Sequence, residues 1–206
     1  MHVLYSMQNS GNCYKLRLAM HQLGIAFSLV DIDILKGESR TPEFLALNPN
    51  GKVPALKLDD GRLLSESNAI LFYLAEGTAL LPEDRFCRAE VLQWMFFEQY
   101  SHEPYIAVAR YWLSLVKGGR DLKAHLIDDW MDRGHQAFAV MERHLEKHDF
   151  FAAGRYTIAD IALYAYTHVA HEGDFDLSAY PAIRTWLDRV TRQKDHVTMA
   201  WRPAQA

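Results

Sequence analysis

Short apolar runs and turn residues alternate at the start of the chain. Val3-Leu4-Tyr5 and the stretch 27–32 are apolar runs that predict buried strands. Between them, apolar residues recur with a helical period from Cys13 to Leu23, and Gly24 predicts the end of that helix. A strand, a helix and a second strand in this order predict a right-handed parallel crossover.

The stretch that follows predicts a short helix and then a hairpin. Thr41-Pro42 is typical of an N-cap followed by a first-turn proline, and predicts a helix that ends near Leu47. Asp59-Asp60-Gly61 is typical of a tight turn, so strands are expected at 55–58 and 62–64.

Helix caps complete the first predicted domain. Asn12 is expected to cap the first helix, and Ser65 to cap a helix at 66–75. The resulting order of strand, helix, strand, helix, strand, strand and helix is typical of an α/β thioredoxin-like domain. This domain is predicted to span residues 1–78.

Helical patterns replace strand patterns after the break Gly77 to Pro82. An all-α helical-bundle domain is therefore predicted for residues 84–206. Thr157-Ile-Ala-Asp160 has the spacing of a capping box at the start of one of its helices. The helices are expected at about 85–116, with a stop at Gly118-Gly119, and at about 122–148, 158–169 and 181–190.

Composition and charge argue against several classes of function and location. The chain has 206 residues, is 50% hydrophobic and carries a formal net charge of −4, which provides no basic field for nucleic acid. No apolar run approaches a membrane span, and the first residues do not resemble a signal peptide. A cytoplasmic protein is expected, with its 2 cysteines as reduced thiols.

Two motifs carry a family resemblance. Asn48-Pro-Asn-Gly-Lys-Val-Pro54, followed by Leu64-Ser-Glu-Ser-Asn-Ala-Ile70, resembles the glutathione-binding half of the cytosolic glutathione transferases. The resemblance implies a cis Val53-Pro54 peptide and a Val53 main chain that pairs with the cysteinyl unit of glutathione. It also implies that Glu66 and Ser67 hold the γ-glutamyl end, and that the helical domain supplies a second-substrate pocket.

Ser10-Gly-Asn-Cys13 stands where thioredoxin-fold oxidoreductases carry Cys-x-x-Cys, with serine in place of the leading cysteine. The reacting sulfur would therefore come from bound glutathione, whose thiolate a donor must stabilise. Ser10 is the first candidate for that donor, as in serine-type branches of the family, and Asn12 is the second. Tyr5, Tyr14 and backbone amides remain open. Cys13 is expected to be a buried, inert thiol rather than a mixed-disulfide partner.

Further candidate residues would contact the glycyl end of glutathione or the second substrate. Lys52 suits the glycyl carboxylate of glutathione, or is a solvated lysine, and Arg40 is a weaker candidate for the same carboxylate. By resemblance, Tyr105 and Arg110 are candidates for the second-substrate pocket. The aromatic residues between Trp94 and Trp112 are divided between the core, that pocket and a subunit interface.

The sequence thus predicts a glutathione transferase that conjugates the glutathione thiolate to small apolar electrophiles, with a role in detoxification implied by the resemblance. Glutathione-dependent disulfide or peroxide reduction, isomerisation, and a non-catalytic binding protein remain alternatives. The family implies a homodimer. No metal is expected, because the histidine pairs His144/His148 and His168/His171 lack a His-Glu-x-x-His pattern.

Overall fold

The computed structural model describes residues 1–204 of the 206-residue chain. These residues fold into two compact units. The first unit comprises residues 1–78 together with the segment from Lys194 onward, and the second comprises residues 79–193.

The first unit contains a four-stranded mixed sheet with the strand order β2-β1-β3-β4. β1 is parallel to β2, whereas β3 is antiparallel to both of its neighbours. The predicted α/β thioredoxin-like architecture is confirmed. In chain order the elements are β1 (His2–Ser6), α1 (Gly11–Gln22), β2 (Phe27–Asp31), α2 (Pro42–Leu47), β3 (Ala55–Lys57), β4 (Leu63–Ser65) and α3 (Ser67–Ala75), with 3-10 turns at Ile34–Lys36 and Glu38–Arg40.

The core of the first unit forms where α1 and α3 pack with the sheet. Leu4 on β1 pairs in register with Leu56 on β3, and both side chains are fully buried. Leu16 on α1 and Ile70 on α3 are also fully buried. This packing holds the N-terminal ends of the two helices, where the candidate residues Ser10, Asn12, Glu66 and Ser67 lie, on a rigid base.

The predicted hairpin is present, but its strands differ from the predicted ranges by one residue. The Asp60 carboxylate accepts hydrogen bonds from the Arg62 backbone amide at 3.0 Å and from Arg62 Nε at 2.8 Å. These bonds hold Arg62 in the turn, so β4 begins at Leu63 instead of at 62.

The C-terminal segment differs from the predicted domain division, which places everything after residue 84 in the helical domain. From Lys194 onward the chain packs on the first unit. Trp201, for example, lies against the ring of Phe27 on β2, with 6.4 Å between the ring centroids. The sequence pattern does not show this return, because its partners are distant in sequence.

Within the described residues, every named element of the second unit is helical, as predicted, and an isolated β-bridge joins Ala152 and Arg155. Its core includes the fully buried side chains of Phe138, Ile161 and Trp186. The helices are α4 (Arg85–Phe97), α5 (Glu103–Arg110), α6 (Gly119–Leu122), α7 (Ala124–Leu145), α8 (Ile158–Thr167) and α9 (Pro181–Thr191), with π-helical turns at Glu98–His102 and Tyr111–Leu115 and a 3-10 turn at Ala170–Gly173.

The long helix predicted at about 85–116 is present as a continuous helical run from Arg85 to Leu115, but it contains two π-helical segments that the sequence pattern did not indicate. A π-helical turn at Glu98–His102 separates α4 from α5, and Pro104 lies in the first turn of α5. Proline lacks the amide that a continuous α-helix needs, and its ring collides with the carbonyl four residues earlier. A wider turn before Pro104 accommodates both effects.

The predicted capping box at the start of α8 is confirmed. The Thr157 hydroxyl accepts from the backbone of the first turn, and the Asp160 carboxylate accepts from the Thr157 amide at 2.9 Å.

Among the described residues, no helix combines the length and the apolar character that a membrane crossing would need.

Candidate active site

The loop before α1 places Ser10 at the N-terminal end of that helix. Ser10 has extended backbone angles, and its Oγ accepts a hydrogen bond from the Cys13 amide at 3.3 Å. Ser10 is therefore the N-cap, and the prediction that Asn12 caps α1 is wrong. Asn12 instead lies within the first turn of the helix. Both residue types favour caps, so the local sequence does not distinguish them.

The loop from residue 48 to 54 is held by a buried asparagine. Asn48 Nδ2 donates to the Lys52 carbonyl at 2.8 Å, and Asn48 Oδ1 accepts from the Asn50 amide at 3.2 Å. The Val53-Pro54 peptide bond is cis, as the family resemblance implied. Val53 is half-buried and is separated from β3 only by Pro54, so its main chain lies beside the start of a sheet strand.

Glu66 adopts a backbone conformation that non-glycine residues rarely adopt. Its φ is 68° and its ψ is 112°, and it directly precedes α3. The prediction that Ser65 caps a helix beginning at 66 is wrong, because Ser65 is the last residue of β4 and Glu66 is the N-cap. A strained residue of this kind costs about 1–3 kcal/mol and often marks a functional position. The Glu66 side chain is exposed, and its Oε1 accepts from Asn50 Nδ2 at 3.3 Å.

A hydrogen-bonded cluster joins the first turn of α1 to the first turn of α3. The Ser67 hydroxyl donates to Asn12 Oδ1 at 3.2 Å. Lys15 Nζ lies 3.4 Å from Ser67 Oγ and 3.2 Å from Asn68 Oδ1, to both of which it donates. Two helix N-termini, each with a positive dipole end, therefore meet at one place with a lysine cation beside them. Such an arrangement favours a negatively charged ligand.

The remaining candidate donors have other contacts. Tyr5 packs edge-on against Phe44, with 6.0 Å between the ring centroids. The Tyr14 hydroxyl donates to the Val197 carbonyl at 2.6 Å. Cys13 is fully buried, and this burial raises the pKa of its thiol although the Met7 amide donates to its Sγ at 3.4 Å. A buried, protonated thiol is a poor nucleophile.

Two cationic candidates lie near the loop at 48–54. The Lys52 side chain is exposed, which is compatible both with binding of the glycyl carboxylate and with a solvated lysine. Arg40 Nη1 donates to the Asn50 carbonyl at 3.1 Å, and its guanidinium lies so close to Gly51 that a Cβ there would collide with it. Gly51 also has a positive φ of 62°. Arg40 therefore packs against the turn that precedes Lys52.

The two candidates in the second unit lie in different surroundings. Tyr105 lines a groove of about 240 Å³, together with Phe97, Tyr100, Ser101, Arg133, Gln136, Ala137 and Val140. Arg133 lies over the Tyr105 ring, with its Cζ 5.6 Å from the centroid. Arg110 does not line this groove, because its guanidinium is buried and its Nε donates to Glu172 Oε2 at 2.8 Å. Contact of either residue with a second substrate stays a prediction.

Lys15 and Asn48 are polar residues of the site that the sequence pattern did not predict. Lys15 is fully buried on α1 among apolar residues. A charged residue in such an apolar stretch needs a buried polar partner, and this signal could have identified Lys15 from the sequence. Its partners Ser67 and Asn68 are more than fifty positions away, so the pattern could not supply them.

No cluster of metal-ligating side chains occurs within residues 1–204.

Comparison with known protein families gives two matches. The family described as glutathione S-transferase, N-terminal domain, matches residues 9–76. The family described as glutathione S-transferase, C-terminal domain, matches residues 124–189.

Solved structures and characterised proteins resemble nearly the whole chain. A possible glutathione S-transferase from Rhodopseudomonas palustris is 58% identical, with a TM-score of 0.97, over 100% of this chain and 93% of that one. A glutathione S-transferase from Pseudomonas fluorescens is 49% identical, with a TM-score of 0.93, over 96% and 98% of the two chains. The disulfide-bond oxidoreductase YfcG of Escherichia coli is 30% identical over 87% of this chain and 85% of its own length.

The fold, the double domain match and these relatives define a class. The chain belongs to the glutathione S-transferase family of enzymes.

Proposed function

We propose that this protein binds glutathione in its first unit and transfers the glutathione sulfur to a small apolar electrophile. The observation that carries the proposal is the cluster of Asn12, Lys15 and Ser67, which joins the N-terminal ends of α1 and α3. Glutathione is an anionic peptide with a carboxylate at each end and a thiol between them. Two convergent helix N-termini favour its γ-glutamyl carboxylate at one end of the site and its thiolate at the other.

The peptide part of glutathione would be bound by three segments. Ser67 and the first amides of α3 face the γ-glutamyl carboxylate, and the exposed Glu66 carboxylate faces the ammonium group of the same unit. The main chain of Val53 pairs with the cysteinyl unit in the manner of a short strand. Lys52 is the proposed partner of the glycyl carboxylate, because its ammonium group is exposed beside Val53.

Ser10 is the proposed thiolate donor. Its oxygen accepts from the Cys13 amide through a lone pair, and a hydroxyl that accepts in this way can still donate its proton. The free thiol has a pKa of about 8.5, so a donor and the α1 dipole are needed to favour the thiolate at neutral pH. The thiol proton passes to solvent. The sulfur then forms a bond to the electrophilic carbon, and the leaving group departs with its bonding electrons.

Disulfide reduction is the second candidate function, and the position of Asn12 favours it. Asn12 lies in the first turn of α1, where its Oδ1 is engaged by Ser67 and its amide NH₂ is the group that would meet a sulfur. The similarity to a disulfide-bond oxidoreductase supports the same candidate. In that reaction the thiolate attacks one sulfur of a substrate disulfide, and the other sulfur leaves as a thiolate.

One experiment separates these functions. Glutathione consumption is measured with a halo-aromatic, an organic peroxide and a mixed disulfide in parallel, and glutathione binding is measured by calorimetry. Consumption with the halo-aromatic supports the transferase. Turnover of the disulfide alone supports the reductase, and binding without any turnover would identify a non-catalytic glutathione-binding protein. Failure to bind glutathione would contradict the whole proposal.

We also propose that the protein acts as a homodimer in the cytoplasm, where thiols stay reduced. Cys13 and Cys87 form no disulfide, which is compatible with that compartment. The large exposed side chains of Phe96 and Tyr100 in the second unit support a subunit interface there, because a monomer rarely exposes neighbouring aromatic residues to this extent.

A further inference from the structure

A C-terminal strap, which we define as residues 196–202, packs on the first unit behind the candidate site. Trp201 lies against the ring of His21 on α1, with 4.5 Å between the centroids. Arg202 holds the Asp31 carboxylate through two hydrogen bonds of 3.0 and 2.8 Å. These contacts fix the strap against α1 and the end of β2.

Arg17 connects the strap to the loop that carries Ser10. Its side chain is fully buried, and its Nη1 donates to Ser6 Oγ at 3.0 Å and to the Met7 carbonyl at 3.4 Å. Its Nη2 donates to the Gln8 carbonyl at 2.7 Å and to the Met199 carbonyl at 3.0 Å. One planar cation therefore holds two carbonyls of the loop and one carbonyl of the strap.

Gln8 provides a second connection, which shares the Met199 carbonyl with Arg17. Its Nε2 donates to the Met199 carbonyl at 2.6 Å, and its Oε1 accepts from Arg202 at 3.1 Å. The Met7 carbonyl also accepts from the Ser10 amide at 3.1 Å, which closes the turn. The turn from Met7 to Ser10 is thus bound to the strap through both its main chain and the Gln8 side chain.

We propose that the C-terminal strap, through Arg17 and Gln8, positions the Ser10 hydroxyl at the sulfur of bound glutathione. The inference rests on the proposed function, in which Ser10 is the thiolate donor. A hydrogen bond weakens steeply outside a narrow range of distance and angle, so a small shift of the loop reduces stabilisation of the thiolate. Arg17, Gln8 and Trp201 are positioning residues and touch neither substrate.

A role in folding alone makes a different prediction. If the strap only stabilised the first unit, its loss would lower the melting temperature and leave the thiol pKa of bound glutathione unchanged. If the strap positions Ser10, that pKa rises in folded protein. Recognition of the glutathione peptide should persist, because it rests on Val53, Glu66 and Ser67, which make no hydrogen bond to the strap.

The test uses the full chain with two neutral replacements, Trp201→Ala and Gln8→Leu. Both keep the charges of Arg17, Asp31 and Arg202, so a change in thiol pKa does not come from a removed charge. We expect kcat at neutral pH to fall roughly 3- to 10-fold and to recover as pH rises, with KM for glutathione within about twofold of wild type. Hydrogen exchange of the backbone amides at residues 7–13 should become faster in both variants.

Two reference variants make the outcome decisive. Lys194→Ala removes a charge from the neighbouring exposed side chain, which holds neither the loop nor Arg17, and should match wild type in kcat and pH profile. Ser10→Ala gives the pH profile expected when the donor is lost. If Trp201→Ala does not fold, Gln8→Leu alone carries the test.

The two proposals fail in different ways. If Ser10→Ala shifts the pH profile and both strap variants keep the wild-type profile, the inference is overturned and the proposed function stands. If Ser10→Ala itself keeps the wild-type profile, Ser10 is not the donor and the inference falls with that role. The double variant should lose less than the product of the two single losses, since both act through one loop.

Discussion

At the scale of single residues, the Ser10 hydroxyl gives the sharpest prediction. Ser10→Ala should raise the pKa of the thiol of bound glutathione by about one to two units, since a hydrogen bond to a charged acceptor contributes about 1.5–3 kcal/mol. Turnover at neutral pH should fall roughly 10- to 100-fold and recover partly at higher pH. Ultraviolet titration of the bound thiolate and the pH profile of kcat provide the measurement.

Two further variants interpret this result. Ser10→Thr keeps both the hydroxyl and the N-cap of α1, so it should retain most of the activity and stability. Asn12→Ala tests the competing donor. An unchanged rate in Ser10→Ala together with a large loss in Asn12→Ala would assign the sulfur contact to Asn12 and favour the disulfide-reducing function.

Glu66 allows binding and folding to be separated. Glu66→Gly should weaken glutathione binding by roughly 1–3 kcal/mol through loss of the carboxylate, yet increase stability by about 0.5–1 kcal/mol because glycine has no Cβ to oppose the positive φ. Calorimetry and chemical denaturation on the same sample measure both quantities.

Glu66→Ala should lose affinity without the gain in stability, and Ser67→Ala should lose affinity to a similar extent, because the charged ligand group loses its partner. Wild-type affinity in both Ala variants would remove the γ-glutamyl assignment.

At the scale of elements, the sequence predicts types better than ends. The strand and helix order of the first unit could be predicted because each element buries a periodic apolar face. The N-caps at Ser10 and Glu66 could not be predicted, because the neighbouring Asn12 and Ser65 are also residue types that favour N-caps. The positive φ of Glu66 also has no signal in the amino-acid sequence. The links from Lys15 to Ser67 and from Arg17 to Met199 span long sequence separations, so only the folded chain shows them.

The capping box of α8 makes stability depend on pH. Burial raises the pKa of Asp160 from 3.8 to about 6, although Thr157, Phe151 and Trp186 all donate to its carboxylate. The folded protein thus binds this proton more tightly than the unfolded chain does. The stabilising contribution is complete below the unfolded pKa and is lost as pH rises through about 6, a change of roughly 2–3 kcal/mol.

Asp160→Asn removes this titration. The difference in free energy of unfolding between wild type and Asp160→Asn, measured by urea denaturation, should therefore fall by roughly 2–3 kcal/mol from about pH 4 to about pH 7. Thr157→Ala should instead destabilise by about 1 kcal/mol through loss of the cap. A difference between wild type and Asp160→Asn that is constant with pH would contradict the raised pKa.

At the scale of the whole molecule, the exposed aromatic surface of the second unit predicts self-association. Phe96 and Tyr100 lie one helical turn apart with exposed fractions of 70% and 83%, and Tyr100 also lines the groove that contains Tyr105 and Val140. Aromatic side chains are enriched at the centre of protein interfaces, where each buries a large area. Twice the chain mass of 23.7 kDa gives about 47 kDa, which we expect by light scattering at micromolar concentration.

A charge placed on this surface should separate the subunits. Tyr100→Glu would bury an unpaired carboxylate from each copy at the interface, so the mass should fall toward 23.7 kDa. Leu122→Glu is the matched control, because Leu122 is another largely exposed apolar side chain of the same unit, at 64%, that lies outside the groove. Tyr105→Ala tests whether the groove binds the second substrate or belongs to the subunit interface. A raised KM for the electrophile with the dimer intact would place Tyr105 in the second-substrate pocket. Dissociation of the dimer would place Tyr105 in the interface. A wild-type mass of 23.7 kDa would show that the exposed aromatic residues serve another purpose.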